Sequence, residues 1–198
     1  MKPLLIIVSA PSGAGKTTLC ERLLAACDWI QYSVSCTTRQ PRGREVNGVN
    51  YEFVDSAQFA SYVEQDDFLE HAVVHGFQYG TRRSPVLAAL QQGKSILMDI
   101  DVQGAAQIRD AARREGGLLG DAFIDVFIEP PSLEVLRERL SGRGEDAPEV
   151  IEKRMTNAIE EMQSAEDYAH HIVNANIDDA AAAFERLVCD CAKVTCTD

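Results

Sequence analysis

Residues 4–19, LLIIVSAPSGAGKTTL, constrain the fold of this chain more than any other stretch. Leu4, Leu5, Ile6, Ile7 and Val8 form an unbroken apolar run, the pattern of a strand buried on both faces in a parallel sheet. Ser12, Gly13, Ala14 and Gly15 then supply a flexible turn, and beyond it Leu19, Leu23 and Ala26 recur at helical spacing. Strand, glycine-rich loop and helix in that order offer inward-turned backbone N–H groups and the positive end of a helix dipole, which together bind phosphate. Ala10, Pro11, Ser12, Gly13, Ala14, Gly15, Lys16, Thr17 and Thr18 are therefore candidate contacts to the phosphates of a nucleoside triphosphate. Lys16 is placed to reach the outer phosphates, and the Thr17 hydroxyl to take a position on Mg²⁺. One position departs from G-x-x-x-x-G-K-[ST]: Ala10 stands where the motif has glycine, and loses free access to positive φ.

The 198 residues suit one compact α/β domain with small inserted lobes, and 45% hydrophobic content is enough to build its core. Nineteen basic against 31 acidic residues give a net charge of −12, which argues against a general nucleic-acid or anionic-membrane surface. Any phosphate site must then be locally basic. The first apolar run is broken by Ser9 and Pro11 and is shorter than the ~7–15 residues of a signal-peptide core, so a cytoplasmic protein is expected. The six cysteines, Cys20, Cys27, Cys36, Cys189, Cys191 and Cys196, show no C-x-x-C pair and no zinc-like spacing with the four histidines. Reduced structural thiols are the default, and His170 and His171 read as strand-edge residues.

Along the chain, the first helix is expected to end near Asp28 and a strand to cover residues 30–36. An arginine-rich loop follows, with Asn47–Gly48 as a hairpin signal. Strands are expected over 51–54 and 68–74, a short helix capped by Ser56 through Val63, and a helix with Ser84 as its cap, Pro85 first and Gly93 just past its end. Core strands are expected over 95–100, 123–128 and 171–175, with helices over 102–115, from Ser132 through Leu140, over 148–162 and over 179–193. Five core strands alternating with helices, the first carrying the phosphate loop, predict an open parallel sheet with its ligand at the strands' carboxyl ends. Gly142–Arg143–Gly144 joins two arginine-bearing helices into a plausible lid. A second arginine-rich pocket and an arginine-bearing lid are equipment for moving a phosphoryl group between nucleotides, with water excluded as acceptor.

Five segments carry a family resemblance: SAPSGAGKTT, SVSCTTRQPRGREVNGVNYEF, FLEHAVVHGFQYGT, ILMDIDVQGA, and PPSLEVLRERLSGRGED with the later EKRM. In this order they resemble a guanylate kinase over nearly the whole chain. The resemblance implies ATP-dependent, Mg²⁺-assisted conversion of GMP to GDP on a phosphate-loop α/β fold: a central parallel five-stranded sheet, an inserted mixed α+β GMP-binding lobe and a helical lid. The implied divisions are a core at about 1–34, 94–130 and 156–198, the lobe at about 35–93 and the lid at about 131–155. Carried over by position, Arg39, Arg42, Tyr51 and Tyr79 are expected to cradle the GMP phosphate, and Ser35, Glu70, Thr81 and Asp101 to contact guanine. Arg139, Arg143 and Arg154 are expected as catalytic lid arginines beside Lys16, with Arg143 near the ATP base. Asp99 is expected to face the metal or its waters, and Asn174 the adenine side. Cys36 departs from the expected hydroxyl residue, with little effect while Ser35 is kept.

The chemistry is consistent with that implication. A single carboxylate such as Glu70 can accept both N1–H and the 2-amino group of guanine, a donor pair adenine lacks. Arginine's planar fork matches two phosphate oxygens at once. Two other classes stay open at this level: an inactive binding module of the same fold, and a phosphate-loop kinase acting on another monophosphate. Tolerance of dGMP and the oligomeric state, a homo-oligomer included, are also open.

Overall fold

The computed structural model describes residues 1–74, 76–142 and 147–194. In chain order the strands are β1 (Leu5–Ser9), β2 (Ile30–Tyr32), β3 (Cys36–Thr37), β4 (Glu52–Phe53), β5 (Phe68–Val74), β6 (Phe77–Arg82), β7 (Ser95–Asp99), β8 (Phe123–Glu129) and β9 (His170–Val173). The helices are α1 (Lys16–Ala26), α2 (Ser56–Glu64), α3 (Arg83–Gln91), α4 (Val102–Glu115), α5 (Gly117–Ala122), α6 (Leu133–Ser141), α7 (Pro148–Gln163) and α8 (Ile177–Ala192).

Five strands form a wholly parallel sheet in the order β2-β7-β1-β8-β9. β1 is central, with Leu5 level with Ile96 on one side and Phe123 on the other. Because successive side chains of a strand face opposite ways, Leu4, Ile6 and Val8 pack with α1 and α8, whereas Leu5 and Ile7 pack with residues of α3, α4 and α5. All five are fully buried, which explains the unbroken apolar run. The chain reaches β2 and β7 on one side of β1 and β8 and β9 on the other. The carboxyl end of β1 is therefore the switch point where such sheets bind ligands.

A second sheet, β4-β3-β6-β5, carries α2 and has its own small core of Cys36, Phe59 and Phe68. Helices α6 and α7 share another, built from Leu136, Leu140, Met155 and Ala158. The C-terminal part of α7 continues unbroken to Gln163.

Several local expectations are corrected. Residues 30–36 are two strands in different sheets: Ser33 N–H donates to Leu97 O (2.9 Å) on the core side, and Ser35 O accepts from Glu52 N–H (2.9 Å) on the lobe side. Asn47–Gly48 closes no hairpin. β3 and β4 are parallel, and the Asn47 side chain accepts Phe53 N–H (2.8 Å), so the pair forms a local loop instead. The hairpin of this lobe joins β5 to β6, a strand the sequence pattern did not give. α3 begins at Arg83 because Asp67, from a distant turn, accepts both the N–H (2.7 Å) and the hydroxyl (2.9 Å) of Ser84 and replaces a local cap. Asp55, not Ser56, caps α2, and Asn176 starts α8 at Ile177.

Candidate active site

The loop leaving β1 is shaped by two glycines with positive φ, Gly13 at 92° and Gly15 at 94°. A Cβ on Gly13 would lie 2.9 Å from the Leu140 side chain, and one on Gly15 would run into the Asn174 amide. Neither position tolerates a side chain. Ala10 has no positive φ, so the missing motif glycine leaves no strain. The first turn of α1 carries no acidic residue, and no side chain caps it, which leaves the helix N-terminus to an anion.

The chain's own groups fill this site. Lys16 forms an ion pair with Asp99 and donates to Ile100 O (3.2 Å) at the end of β7. Arg154 of α7 donates to the Ser12 hydroxyl (2.9 Å), while Ser12 N–H donates to Glu161 (3.3 Å), two helical turns further along α7. Burial raises the Glu161 pKa above the ordinary carboxylate range, against the lowering effects of the Ser12 N–H and Lys16. Arg139 of α6 donates to Asn174 O (2.8 Å). Loop residues 10–13 and 15–18 line one cavity of about 330 Å³ with Asp101, Arg154 and Glu161. Thr17 and Thr18 are exposed at its mouth.

Asn174 does not face an opening. It is 3% exposed, its amide donates to Ala14 O (2.7 Å) and its N–H to Glu129 O (2.8 Å). Its place is under the loop, as a strut between β8 and the phosphate turn. Arg143 lies outside the described residues.

In the lobe, Arg39 is 6% exposed and held on every side. It donates to Tyr79 Oη (3.2 Å) and to both oxygens of Glu45 (2.9 Å each), and its guanidinium lies 5.2 Å from the Tyr51 ring centroid. Those hydrogen bonds, led by the one from Arg39, lower the Glu45 pKa to about 2. Arg42 is exposed, and its N–H joins Glu45 (2.7 Å). Arg39, Tyr51 and Tyr79 thus come together as expected, with Arg42 beside them through the shared Glu45.

Glu70, 9% exposed, accepts the Thr81 hydroxyl at 2.8 Å. Burial raises its pKa, with the charge of Asp101 adding to the rise and the Thr81 bond opposing it. Asp101 caps α4 by accepting Gly104 N–H (2.8 Å). A Cβ on Gly104 would sit 3.3 Å from one Glu70 oxygen and 3.5 Å from an Asp101 oxygen, so the glycine lets two carboxylates from different lobes approach the same point. Asp101 also lines the loop cavity and so joins the Lys16 end of the site to the Glu70 end. Ser35 is half-buried where the chain crosses between sheets. Cys36 is fully buried in the lobe core, so its thiol takes no part in the site.

A family model described as guanylate kinase matches residues 2–190 of this sequence. The chain belongs to the guanylate kinase family. It is 48% identical over 183 residues to a guanylate kinase of Alkalilimnicola ehrlichii, covering 92% of this chain and 86% of that one. It is also 48% identical over 179 residues to a guanylate kinase of Deinococcus radiodurans, covering 90% and 72%. The crystal structure of guanylate kinase from Anaplasma phagocytophilum superposes with a TM-score of 0.71 at 30% identity, over 98% of this chain and 88% of that one.

Glu45 and Glu161 were not singled out in the sequence. A signal existed for both: Glu45 follows Arg39 and Arg42 in the same short loop, and Glu161 lies seven residues after Arg154, on the same face of its helix.

Proposed function

We propose that this chain transfers the γ-phosphoryl group of ATP to GMP, giving ADP and GDP, as a cytoplasmic enzyme. No described helix is long and apolar enough to cross a membrane. The observation that carries the reading is Glu70, a buried carboxylate with one oxygen fixed by Thr81, on the acceptor side of a phosphate loop. One carboxylate accepts both donors of guanine's N1 edge. Adenine would leave it buried without the base donors it is placed to accept, a loss of about 10⁴-fold in a site built around that bond.

GMP enters between the lobe and the core, and its phosphate draws the Arg39 guanidinium away from Glu45 and engages the exposed Arg42 side chain, with the Tyr51 and Tyr79 hydroxyls as further donors. Ser35, Thr81 and Asp101 complete the base pocket around Glu70. ATP places its phosphates on the N–H groups of the loop, displacing Glu161, while Lys16 turns from Asp99 to the outer phosphates. Arg139 and Arg154, and Arg143 with them, bring fixed positive charge to the transferred group as the lid closes and excludes water. The groups offered beside Lys16, the Thr17 hydroxyl and the Asp99 carboxylate, are oxygen donors, which suits a hard ion such as Mg²⁺. Thr17 and Asp99 would hold it or its waters, and when bound it neutralises charge on the outer phosphate oxygens. The working division is a core at about 1–34, 94–130 and 156–198, a GMP lobe at about 35–93 and a lid at about 131–155.

A coupled assay of ADP release with ATP and GMP, dGMP, AMP, UMP or dTMP tests the reading. GMP is expected to support turnover and AMP to fail. Comparable rates with AMP would place the acceptor site elsewhere. Lys16→Ala is expected to keep the melting midpoint and lose at least ~100-fold in turnover.

A further inference from the structure

Away from the nucleotide cleft, the fold brings one side chain from near the start of the chain against two from its last helix. Cys27 terminates α1, and Glu185 and Cys189, four residues apart, share a face of α8. Their two sulfur atoms and a carboxylate oxygen all lie within 4.8 Å of one another. We propose that Cys27, Glu185 and Cys189 form a second metal site, one that takes a thiophilic divalent cation of the Zn²⁺ type and clamps the first helix of the chain to the last.

The donor set chooses the ion. Two sulfurs and one oxygen suit a borderline-soft d¹⁰ cation, whereas Mg²⁺ and Ca²⁺ take oxygen donors. Around a tetrahedral Zn²⁺ with bonds of about 2.3 Å to sulfur, neighbouring donors stand about 3.8 Å apart. Small side-chain rotations bring the three groups to that spacing. Both cysteines are 3% exposed and Glu185 is half-buried, so the ion would sit at the rim of the core with a water in its fourth position.

The surroundings favour a cation. Cys27 stands at the carbonyl end of α1, the negative end of the helix dipole, and the last turn of α1 contains no basic residue. The chain as a whole carries a net charge of −12. Uptake converts each thiol to a thiolate, with one proton per cysteine released to solvent and two sulfur–metal bonds formed, so affinity rises with pH. No electron is exchanged.

This site is distinct from the place of the catalytic Mg²⁺. Lys16 and Thr17 open α1 and Cys27 closes it, about 16 Å away at 1.5 Å per residue. Its role is to hold α1 against α8, and hence to fix the helix that carries the phosphate loop on the sheet.

The test uses the full chain, reduced and stripped of metal, titrated with Zn²⁺ alone against a chromogenic chelator and with Co²⁺ followed through its thiolate charge-transfer band. The expected result is one equivalent bound with the thiolate band present, and a melting midpoint raised by a few degrees in Zn²⁺. Cys27→Ser and Cys189→Ser are each expected to lose the band and at least ~10-fold in affinity, and Glu185→Gln to weaken binding while the protein stays folded. Cys191→Ser, on the same helix, is expected to bind as the parent does. Proton release measured in weak buffer is expected to approach two per ion above neutral pH. The proposal is overturned if no stoichiometric uptake occurs, if uptake is unchanged by Glu185→Gln and by loss of either thiol, or if the two cysteines close into a disulfide and exclude the metal.

Discussion

Glu70 and Glu45 are two carboxylates whose surroundings push them in opposite directions. Glu70 is raised because burial and the nearby charge of Asp101 outweigh its bond from Thr81. The proposed contact with two guanine N–H groups would require the ionised form, so on that reading the acid limb of kcat/KM for GMP is expected above the ordinary carboxylate value of 4.5. Glu70→Gln is expected to flatten that limb and reduce kcat/KM for GMP at least ~100-fold, with KM for ATP little changed. An equal loss for both nucleotides in steady-state kinetics would remove Glu70 from the base pocket. Glu45 is the reverse case, lowered from 4.5 to about 2 by the fork of Arg39. A depressed folded pKa contributes stability above the unfolded value, and that contribution is lost as pH falls from about 4.5 towards 2. Urea midpoints measured across that window are expected to fall more steeply in the parent than in Glu45→Gln.

The elements show what the sequence pattern could and could not convey. The buried run of β1, the α4 boundaries at Val102 and Glu115 and the cap at Ser132 were legible because each is decided by residues adjacent in the chain. The true start of α3 was not, since its cap comes from Asp67 across a turn. Nor was the split of residues 30–36, which depends on Leu97 and Glu52 drawing neighbouring residues into different sheets. In the site, the phosphate loop announced itself through glycine and lysine spacing, whereas the strut beneath it did not. Asn174 joins β8 to the loop through its backbone N–H on Glu129 O and its buried side-chain amide on Ala14 O, and its Oδ1 has no hydrogen-bond partner among the described residues. Asn174→Ala removes the bond to Ala14 and leaves that carbonyl without its donor, at an expected cost of about 1–3 kcal/mol. The loop loosens while the lobe is untouched, so KM for ATP should rise with KM for GMP unchanged. A rise confined to GMP would show that the strut does not support the loop.

Across the whole molecule, an excess of acid does more than set the charge to −12. Three of the cationic or N–H-rich groups are closed by the chain's own carboxylates: Lys16 by Asp99, Arg39 by Glu45, and the loop N–H of Ser12 by Glu161. On the proposed function, nucleotide anions would replace these internal anions rather than enter an exposed basic cleft. Burial opposes the charge of Glu161 and raises its pKa. Glu161→Gln keeps an oxygen to accept the Ser12 N–H but removes the negative charge that the triphosphate must displace. KM for ATP is expected to fall several-fold at neutral pH, with KM for GMP unchanged, since two anions in one phosphate site repel strongly where water is scarce. As pH drops through the raised pKa of Glu161, the parent becomes neutral at this position and the two proteins should converge. Steady-state titrations of ATP across that range decide the matter: a constant ratio between parent and variant, or a KM raised by the substitution, would mean that Glu161 supports the loop instead of occupying the place of the substrate.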